Sequence, residues 1–251
     1  MLETIDIEEI KKIALKAGEA VMQIYRKDFS IDYKDDKSPL TEADLKSNEI
    51  ICSNLQSLYP NIPIMSEENK QTDYEIRRNW EYYWCIDPID GTKEFIKKND
   101  EFTVNIALVH KDAPVLGVVY APAIAEMYSA KQGEGAFLNN QKLPLSANEK
   151  KQEYMKVVAS KSHLSQETQE FIDALDTKHV EQVSKGSSLK LCMVASGEAD
   201  IYPRLGPTME WDTAAADAVV REAGKMTYLF EDETPMVYNK ENLLNPWFIV
   251  K

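Results

Sequence analysis

The chain has little cysteine and little histidine, and neither forms a pattern that could build a common metal or disulfide site. It contains 3 cysteines and 3 histidines among 251 residues. Cys52, Cys85 and Cys192 are odd in number, lie far apart and form no Cys-x-x-Cys pair, which argues against a disulfide framework and against a zinc ribbon. Sparse, unpaired cysteine is typical of a reducing compartment, so the sequence predicts the cytoplasm.

Basic runs and long apolar runs are also absent. The net charge is −13, and no cluster of lysine and arginine could neutralise the phosphates of a nucleic-acid polymer. No apolar stretch approaches the roughly 18 residues that suggest a membrane-spanning helix, and the acidic segment 1–9 lacks the apolar core of a secretory leader. A small phosphorylated substrate stays compatible with the acidic charge, because bound cations can invert the local field.

The composition that remains is that of a globular protein, built as one compact unit or as two closely packed subdomains. The first half reads as two amphipathic helices against a mainly antiparallel sheet, an α+β pattern. We predict a helix over about 6–27, opened by a capping box of Asp6 and Glu9, then a polar loop over 32–39 and a helix from Thr41 to Tyr59. Strands are predicted over 62–65, 82–86, 102–109, 115–120 and 126–130, with a hairpin at Asn139-Asn140.

The second half alternates strands and helices, which is typical of α/β layering. We predict strands over 157–160, 180–183, 199–203 and 226–230, and helices over 165–175, 187–196 and 213–223. The polar segment 148–153 predicts a boundary between a subdomain 1–153, with the main metal site, and a subdomain 154–251 that completes the site.

The segment 82–95 combines a strand with two acids in one turn. The apolar run from Tyr82 leads directly into Asp87-Pro88-Ile89-Asp90-Gly91-Thr92. Pro88 fixes its own φ and biases Asp87 away from helix, while Gly91 allows close approach of a ligand to the backbone. Two carboxylates, a carbonyl and free amides in one turn suit divalent cations and a phosphate bound to them. Asp-Pro and Asp-Gly are also ordinary turn signals.

Three further acids stand at the ends of predicted elements, and each has a structural alternative. Glu67 follows a strand, and Glu67-Glu68 could be a solvated pair. Asp212 opens an alanine-rich helix and could be its N-cap. Asp44 lies three residues after Thr41 and could belong to a capping box. Clustered carboxylates repel one another, so if these acids converge with the Asp-Pro turn, cations must lie among them.

A second anion site is indicated by Gly186-Ser187-Ser188, which precedes an apolar helix. Amides and hydroxyls at a helix start bind phosphate well, although a serine there can also be an ordinary N-cap. Lys190 and Arg204 are candidate ligands of a second phosphate, and the alternative is that both are surface cations.

These motifs together resemble the inositol monophosphatase superfamily of metal-dependent, lithium-sensitive phosphomonoesterases. Within it, the chain looks most like the bacterial 3'(2'),5'-bisphosphate nucleotidases of the CysQ type. The strings that carry the resemblance are Glu67-Glu68, Asp87 to Thr92 continuing as Lys93-Glu94-Phe95, Glu101 to Ala107, Gly186 to Lys190, Tyr202 to Thr208, and Trp211-Asp212.

The resemblance implies a layered αβαβα sandwich of the inositol monophosphatase and fructose-bisphosphatase type. It also implies an enzyme that removes the 3'-phosphate of 3'-phosphoadenosine 5'-phosphate, a by-product of sulfate assimilation, to give AMP. Two to three Mg²⁺ ions and inhibition by Li⁺ are expected. Some bacterial relatives are assigned to the inner face of the cytoplasmic membrane, so a peripheral location there is an alternative, and a homodimer is one option for the oligomeric state.

The resemblance also assigns roles to residues. Thr92, oriented by Asp44, would hydrogen-bond the attacking water as the catalytic pair. The metal ligands would be Glu67, Asp87, the Ile89 carbonyl, Asp90 and Asp212, with a third, weaker ion joining through Glu67. The residues expected to contact substrate are Glu67, Ile89, Asp90, Gly91, Thr92, Gly186, Ser187, Ser188, Lys190, Arg204 and Asp212.

Two rival functions stay open at this point. An inositol phosphatase, or another phosphatase of small phosphomonoesters such as sugar phosphates, would keep the metal site and differ in substrate. A non-catalytic protein that binds metal or senses nucleotides would keep the carboxylates but would need neither Thr92 nor Asp44.

Overall fold

A computed structural model describes residues 1–27, 29–33, 39–145, 154–159 and 165–251. After a 3-10 turn at Leu2–Thr4, the helices are α1 Ile7–Tyr25, α2 Glu42–Leu58, α3 Tyr74–Arg77, α4 Thr92–Ile96, α5 Gln166–Asp173, α6 Leu189–Ser196 and α7 Glu210–Glu222. The strands are β1 Ile31–Tyr33, β2 Pro39–Thr41, β3 Ile64–Ser66, β4 Tyr82–Asp90, β5 Thr103–His110, β6 Ala113–Ala121, β7 Glu126–Lys131, β8 Gly135–Leu138, β9 Gln141–Lys142, β10 Tyr154–Val158, β11 His179–Val183, β12 Tyr202–Arg204, β13 Thr227–Leu229 and β14 Phe248–Val250.

Helix α1 confirms the first predicted helix, although its N-terminus is capped differently. The Asp6 carboxylate accepts a hydrogen bond from the Glu8 amide at 2.9 Å, as a good N-cap should. Glu9 does not return the bond: its carboxylate pairs with Lys12 at 2.7 Å, and the Asp6 amide donates to the Tyr59 hydroxyl at 3.2 Å. The expected reciprocal capping box is therefore wrong. The Asp6 amide is bonded to Tyr59 at the end of α2, and the Glu9 carboxylate is paired with Lys12 within α1.

The central sheet has seven strands in the order β3-β4-β5-β6-β7-β8-β9, and neighbouring strands are antiparallel except for β3 and β4. Both of its faces are buried. In β5, Val104, Ile106 and Leu108 share a core with residues of α1 and α2, whereas Ala107 and Val109 share a core with residues of α6 and α7. Alternate side chains of a strand point to opposite faces, so the sheet separates two helical layers.

Beyond α6 and α7 lies a second β layer, in which β12-β14-β13 form one sheet and the parallel pair β10-β11 joins it through a bridge between Val157 and Ile201. Helix α5 packs on the outside of this layer. Helix α7 lies so close to the central sheet that a Cβ at Gly117 would stand 2.1 Å from the Ala215 carbonyl oxygen. The predicted αβαβα layering is confirmed.

Several elements were not predicted from the sequence. The segment read as a polar loop before Thr41 contributes the strand pair β1-β2, and the short helices α3 and α4 and the C-terminal strand β14 were missed. Strand β14 is only three residues long and pairs with β12 and β13. Its formation therefore depends on strands that are distant in sequence. Residues 148–153, the proposed boundary, lie outside the described residues, and the division 1–153 and 154–251 stays a prediction. Among the described helices, none has the length and apolar character needed to cross a membrane.

Candidate active site

A cavity of about 470 Å³ opens where β4 ends, between the central sheet and the N-termini of α6 and α7. It brings together twelve of the residues predicted from scattered motifs. They are Glu67, Asp87, Ile89, Asp90, Gly91, Thr92, Gly186, Ser187, Ser188, Lys190, Arg204 and Asp212.

Strand β4 does not end at Ile86, as the sequence predicted, but continues to Asp90. Asp87 pairs with Asn105 and Asp90 pairs with Thr103, with a shift of register between the two pairs. The shift is the bulge that Pro88 requires, since proline has no N–H for the ladder. Three residues apart on a bulged strand, the two carboxylates can face one cavity.

Asp87, Asp90 and Asp212 form the centre of the site. Each offers a carboxylate oxygen, and these oxygens all lie within 4.8 Å of one another. Burial, followed by the charge of Glu67, raises the pKa of Asp87 well above its ordinary value. Burial also raises the pKa of Asp90 to about 6 and that of Asp212 to about 8. Acids held this close without cations resist ionisation.

Backbone amides hold one oxygen of each acid. Ile89 donates to Asp87 at 3.1 Å, Ser188 donates to Asp90 at 2.5 Å, and Met209 donates to Asp212 at 2.9 Å. Each acid is thus anchored by the main chain while it offers a carboxylate oxygen to the shared centre. Asp212 is the third residue of α7 rather than its N-cap, so the N-cap alternative is wrong and its carboxylate instead reaches back to the helix start.

Glu67 and the Ile89 carbonyl complete the acidic side. Glu67 follows β3, and its amide donates to the Ile86 carbonyl at 3.1 Å, which places the residue beside the end of β4. Because Glu67 lines the cavity and its charge acts on Asp87, the reading as a solvated surface pair with Glu68 does not describe it. The Ile89 carbonyl lies 3.3 Å from the Thr92 hydroxyl.

These carboxylate and carbonyl oxygens are suitable ligands for magnesium. Carboxylates and a backbone carbonyl are the oxygen ligands that Mg²⁺ and Ca²⁺ prefer. The raised pKa values show that the cluster needs positive charge to ionise fully near neutral pH, which a cation would supply. The structure therefore gives a physical reason for cations at this position.

Thr92 lines the cavity, and its hydroxyl is held by a hydrogen bond to Asp44. The Thr92 hydroxyl is 3.2 Å from an Asp44 carboxylate oxygen. The other Asp44 oxygen accepts from the Thr41 amide at 2.8 Å and from the Thr41 hydroxyl at 2.6 Å. The capping-box interpretation of Asp44 is confirmed, and the same side chain also contacts Thr92. Burial raises the pKa of Asp44.

Segment 186–188 lines the cavity beside Asp90, and Ser188 is not an ordinary N-cap. It precedes α6 but makes no side-chain capping bond. Its hydroxyl instead lies 2.8 Å from Thr103 and 3.0 Å from Asn105, and the Ser187 hydroxyl lies 2.9 Å from Thr103. These bonds tie the serine segment to β5, and the Ser188 amide ties it to Asp90 at the end of β4.

Thr103 and Asn105 are the residues that sequence reasoning missed. Both are buried, at 0% and 1% exposure, on the face of β5 that continues as Ala107 and Val109. Two polar residues at inward-facing positions of an otherwise apolar strand were a visible signal, because buried polar side chains need partners.

Lys190 and Arg204 supply the positive charge. Both line the cavity and are half-buried, so the reading as plain surface cations is wrong. Burial lowers the pKa of Lys190, and the nearby Asp90 opposes that change. Arg204 donates to the Pro207 carbonyl at 2.8 Å, while its Nε is buried without a hydrogen-bond partner among the described residues.

The chain belongs to the inositol monophosphatase family, whose model matches residues 2–246. The phosphatase class predicted from the motifs is confirmed. The family is metal-dependent, in agreement with the carboxylate cluster found here.

Within the family, two relatives that match nearly the whole chain carry the same description. The chain is 42% identical to the 3'(2'),5'-bisphosphate nucleotidase CysQ of Salmonella typhimurium over 97% of this chain and 98% of that protein. It is 41% identical to the protein of the same name from Escherichia coli K12, with the same coverage. A crystal structure of CysQ from Bacteroides thetaiotaomicron is 46% identical, with a TM-score of 0.84 over 95% of this chain and 94% of that chain.

Proposed function

We propose that the protein is a Mg²⁺-dependent 3'(2'),5'-bisphosphate nucleotidase that hydrolyses 3'-phosphoadenosine 5'-phosphate to AMP and phosphate. The observation that carries the proposal is the composition of one cavity, in which a carboxylate cluster faces Lys190 and Arg204. Metal ions on the acidic side suit the phosphate that is cleaved, and cations on the other side suit a second phosphate that is only bound. The similarity to CysQ proteins over nearly the whole chain supports the same substrate.

Metal binding is assigned to the acidic side. Glu67, Asp87 and the Ile89 carbonyl would hold one Mg²⁺, and Asp87, Asp90 and Asp212 a second, with a third joining through Glu67 when substrate is present. Bound Mg²⁺ would lower the pKa of a water towards neutrality and neutralise charge on the leaving ribose oxygen.

Thr92 and Asp44 would handle the proton of the attacking water. Because the Thr92 hydroxyl can donate to Asp44 at 3.2 Å, its oxygen can accept from a water in the cavity and pass the proton on. The raised pKa of Asp44 brings that carboxylate closer to the range in which it can share a proton. Water oxygen then bonds to the 3'-phosphorus while the bond from phosphorus to the ribose oxygen breaks, and no covalent enzyme intermediate is needed.

Substrate binding is assigned to the remaining predicted residues. The amides of Gly91 and Thr92 would take oxygens of the transferred phosphate. Segment Gly186-Ser187-Ser188, with Lys190 and Arg204, would bind the 5'-phosphate side of the nucleotide. Inhibition by Li⁺ is a further prediction from the resemblance. The cytoplasmic location is predicted from the sparse cysteines, and a homodimer is one option for the oligomeric state. A peripheral position on the membrane has no support in the structure.

One assay tests the proposal. Phosphate release from 3'-phosphoadenosine 5'-phosphate and from inositol 1-phosphate is measured with Mg²⁺, with EDTA, and with Mg²⁺ plus Li⁺. We expect the nucleotide to be the preferred substrate, with activity lost in EDTA and reduced by Li⁺. Preference for inositol 1-phosphate would overturn the substrate assignment, and release that persists in EDTA would overturn the metal assignment.

A further inference from the structure

Helix α2 touches the metal-binding turn at a second point, one turn beyond Asp44. Asp44 and Ser47 are three residues apart and therefore lie on the same face of the helix. Ser47 is fully buried, and its hydroxyl donates to the Pro88 carbonyl at 2.8 Å. The bond joins the helix to the residue between Asp87 and Ile89, inside the bulge of β4.

The Ser47 bond acts on Asp87 through one rigid group. The Pro88 carbonyl and the Ile89 N–H belong to the same peptide unit, which is planar. That N–H donates to the Asp87 carboxylate at 3.1 Å. Fixing the Pro88 oxygen therefore fixes the direction of the Ile89 N–H, and the N–H in turn sets the rotation of the Asp87 side chain.

The three groups form a chain of hydrogen bonds from Ser47 through the peptide unit to Asp87. Hydrogen bonds in series polarise one another in a low-dielectric interior, and this chain is buried at each residue. A serine inside a helix usually faces solvent or bonds back to its own helix. Ser47 bonds instead to a carbonyl 41 positions away, which points to a task outside α2.

We propose that Ser47 is a positioning residue that orients the Asp87 carboxylate for cation binding. Groups that hold a ligand in place commonly change metal affinity when removed. The inference rests on the proposed function for its link to catalysis. Its physical content, the affinity of the protein for Mg²⁺, is independent of the substrate.

The test uses three variants of the full chain. Ser47→Ala removes the hydroxyl, and Ser47→Cys keeps a similar volume with only a weak donor. Ser53→Ala is the matched control, because Ser53 is exposed on the same helix and, within the described part of the chain, its hydroxyl donates only to the Ile50 carbonyl of its own helix, at 3.2 Å. Mg²⁺ affinity is measured by calorimetry and by the shift of melting temperature with Mg²⁺, and kcat and KM are measured over a Mg²⁺ titration.

We expect Ser47→Ala and Ser47→Cys to weaken Mg²⁺ binding by roughly 10-fold, to reduce the Mg²⁺-dependent shift in melting temperature, and to recover much of their kcat at high Mg²⁺. Ser53→Ala should match the wild type. A Ser47→Ala protein that melts earlier without Mg²⁺ but binds Mg²⁺ normally would reduce Ser47 to a packing role. Normal Mg²⁺ affinity in Ser47→Cys alone would likewise show that volume, not the hydrogen bond, matters.

The proposed function can fail separately. A wild-type protein that binds Mg²⁺ but releases no phosphate from the nucleotide would overturn the function, and the calorimetric comparison of the Ser47 variants would still decide the positioning role. Active wild-type enzyme with unaltered Mg²⁺ affinity in both Ser47 variants would overturn only the positioning role.

Discussion

The two sides of the cavity are built differently. On the acidic side, Asp87, Asp90 and Asp212 each have one oxygen fixed by a backbone amide. On the basic side, Lys190 has a long contact of 3.4 Å to the Lys185 carbonyl, and the Arg204 Nε has no partner among the described residues. Main-chain groups thus position the acids, while the cations keep hydrogen-bonding capacity for a ligand.

The difference matches two different tasks. Metal ligands must converge within tenths of an ångström before the ions arrive, and rigid main-chain partners provide that order. A residue that only binds a phosphate can adjust its long side chain around it. We therefore expect substitutions on the acidic side to lower kcat and those on the basic side to raise KM.

The largest expected effect is that of removing the Thr92 hydroxyl. Thr92→Ala should lower kcat by between about 10² and 10⁴, because the water loses its path for the proton, while Mg²⁺ should still raise the melting temperature. Steady-state phosphate release and thermal unfolding measure the two quantities, with Thr92→Ser as the control that keeps the hydroxyl. Comparable kcat in Thr92→Ala and wild type would exclude the proton-relay role assigned to Thr92.

Asp212→Asn tests the acidic side itself. The amide oxygen of asparagine can still accept from the Met209 amide, so α7 should remain capped while one negative charge is lost. We expect kcat to fall by about 10² or more, as measured by phosphate release over a Mg²⁺ titration. Turnover near the wild-type level at modest Mg²⁺ would remove Asp212 from the metal site.

Arg204→Ala tests the basic side. The KM for 3'-phosphoadenosine 5'-phosphate should rise by roughly 10-fold, since a charged hydrogen bond to the 5'-phosphate is lost, whereas the KM for 3'-AMP should change little. Parallel kinetics on the two nucleotides measure this difference. An equal effect on both substrates would show that Arg204 does not recognise the second phosphate.

The smallest expected effect concerns stability without metal. Asp90 and Asp212 have folded-state pKa values of about 6 and about 8, above the ordinary value near 4. The folded protein therefore binds more protons than the unfolded chain between about pH 4 and 8, so its stability falls as pH rises through this range.

Melting temperature in EDTA should thus drop by on the order of 5 °C from pH 5 to pH 8, and Mg²⁺ should restore it more at pH 8 than at pH 5. The Asp212→Asn variant should show a smaller drop. A melting temperature in EDTA that rises with pH over this interval would contradict the clustering of these acids.

Much of the fold was predictable because its signals are local. Helix α1 and most strands of the central sheet follow from apolar spacing in short windows. Strand β14 and the pair β1-β2 were not predicted, because a three-residue strand shows little hydrophobic pattern and depends on pairing with other strands. The end of β4 was also misplaced, because the bulge at Pro88 is accommodated by pairing with β5.

The candidate site divides in the same way. Motifs in the sequence identified the acids and the anion-binding segment 186–188. The structure brings these residues to one cavity, except Asp44, which contacts the cavity through Thr92. The sequence did not predict that Asn105 bonds to Ser188 or that Ser47 bonds to Pro88. An asparagine or a serine in an ordinary strand or helix has no sequence signature for a partner on another element.

Sequence alone thus determined which side chains carry the charge and which local elements present them, since capping, turn formation and amphipathic spacing act within a few residues. Tertiary structure alone decided that Asp212 meets Asp87 and Asp90, that Ser188 bonds to Asp90, and that Ser47 reaches Pro88. Those distances depend on how α2, α6 and α7 pack on the central sheet, and packing is settled by the whole buried core.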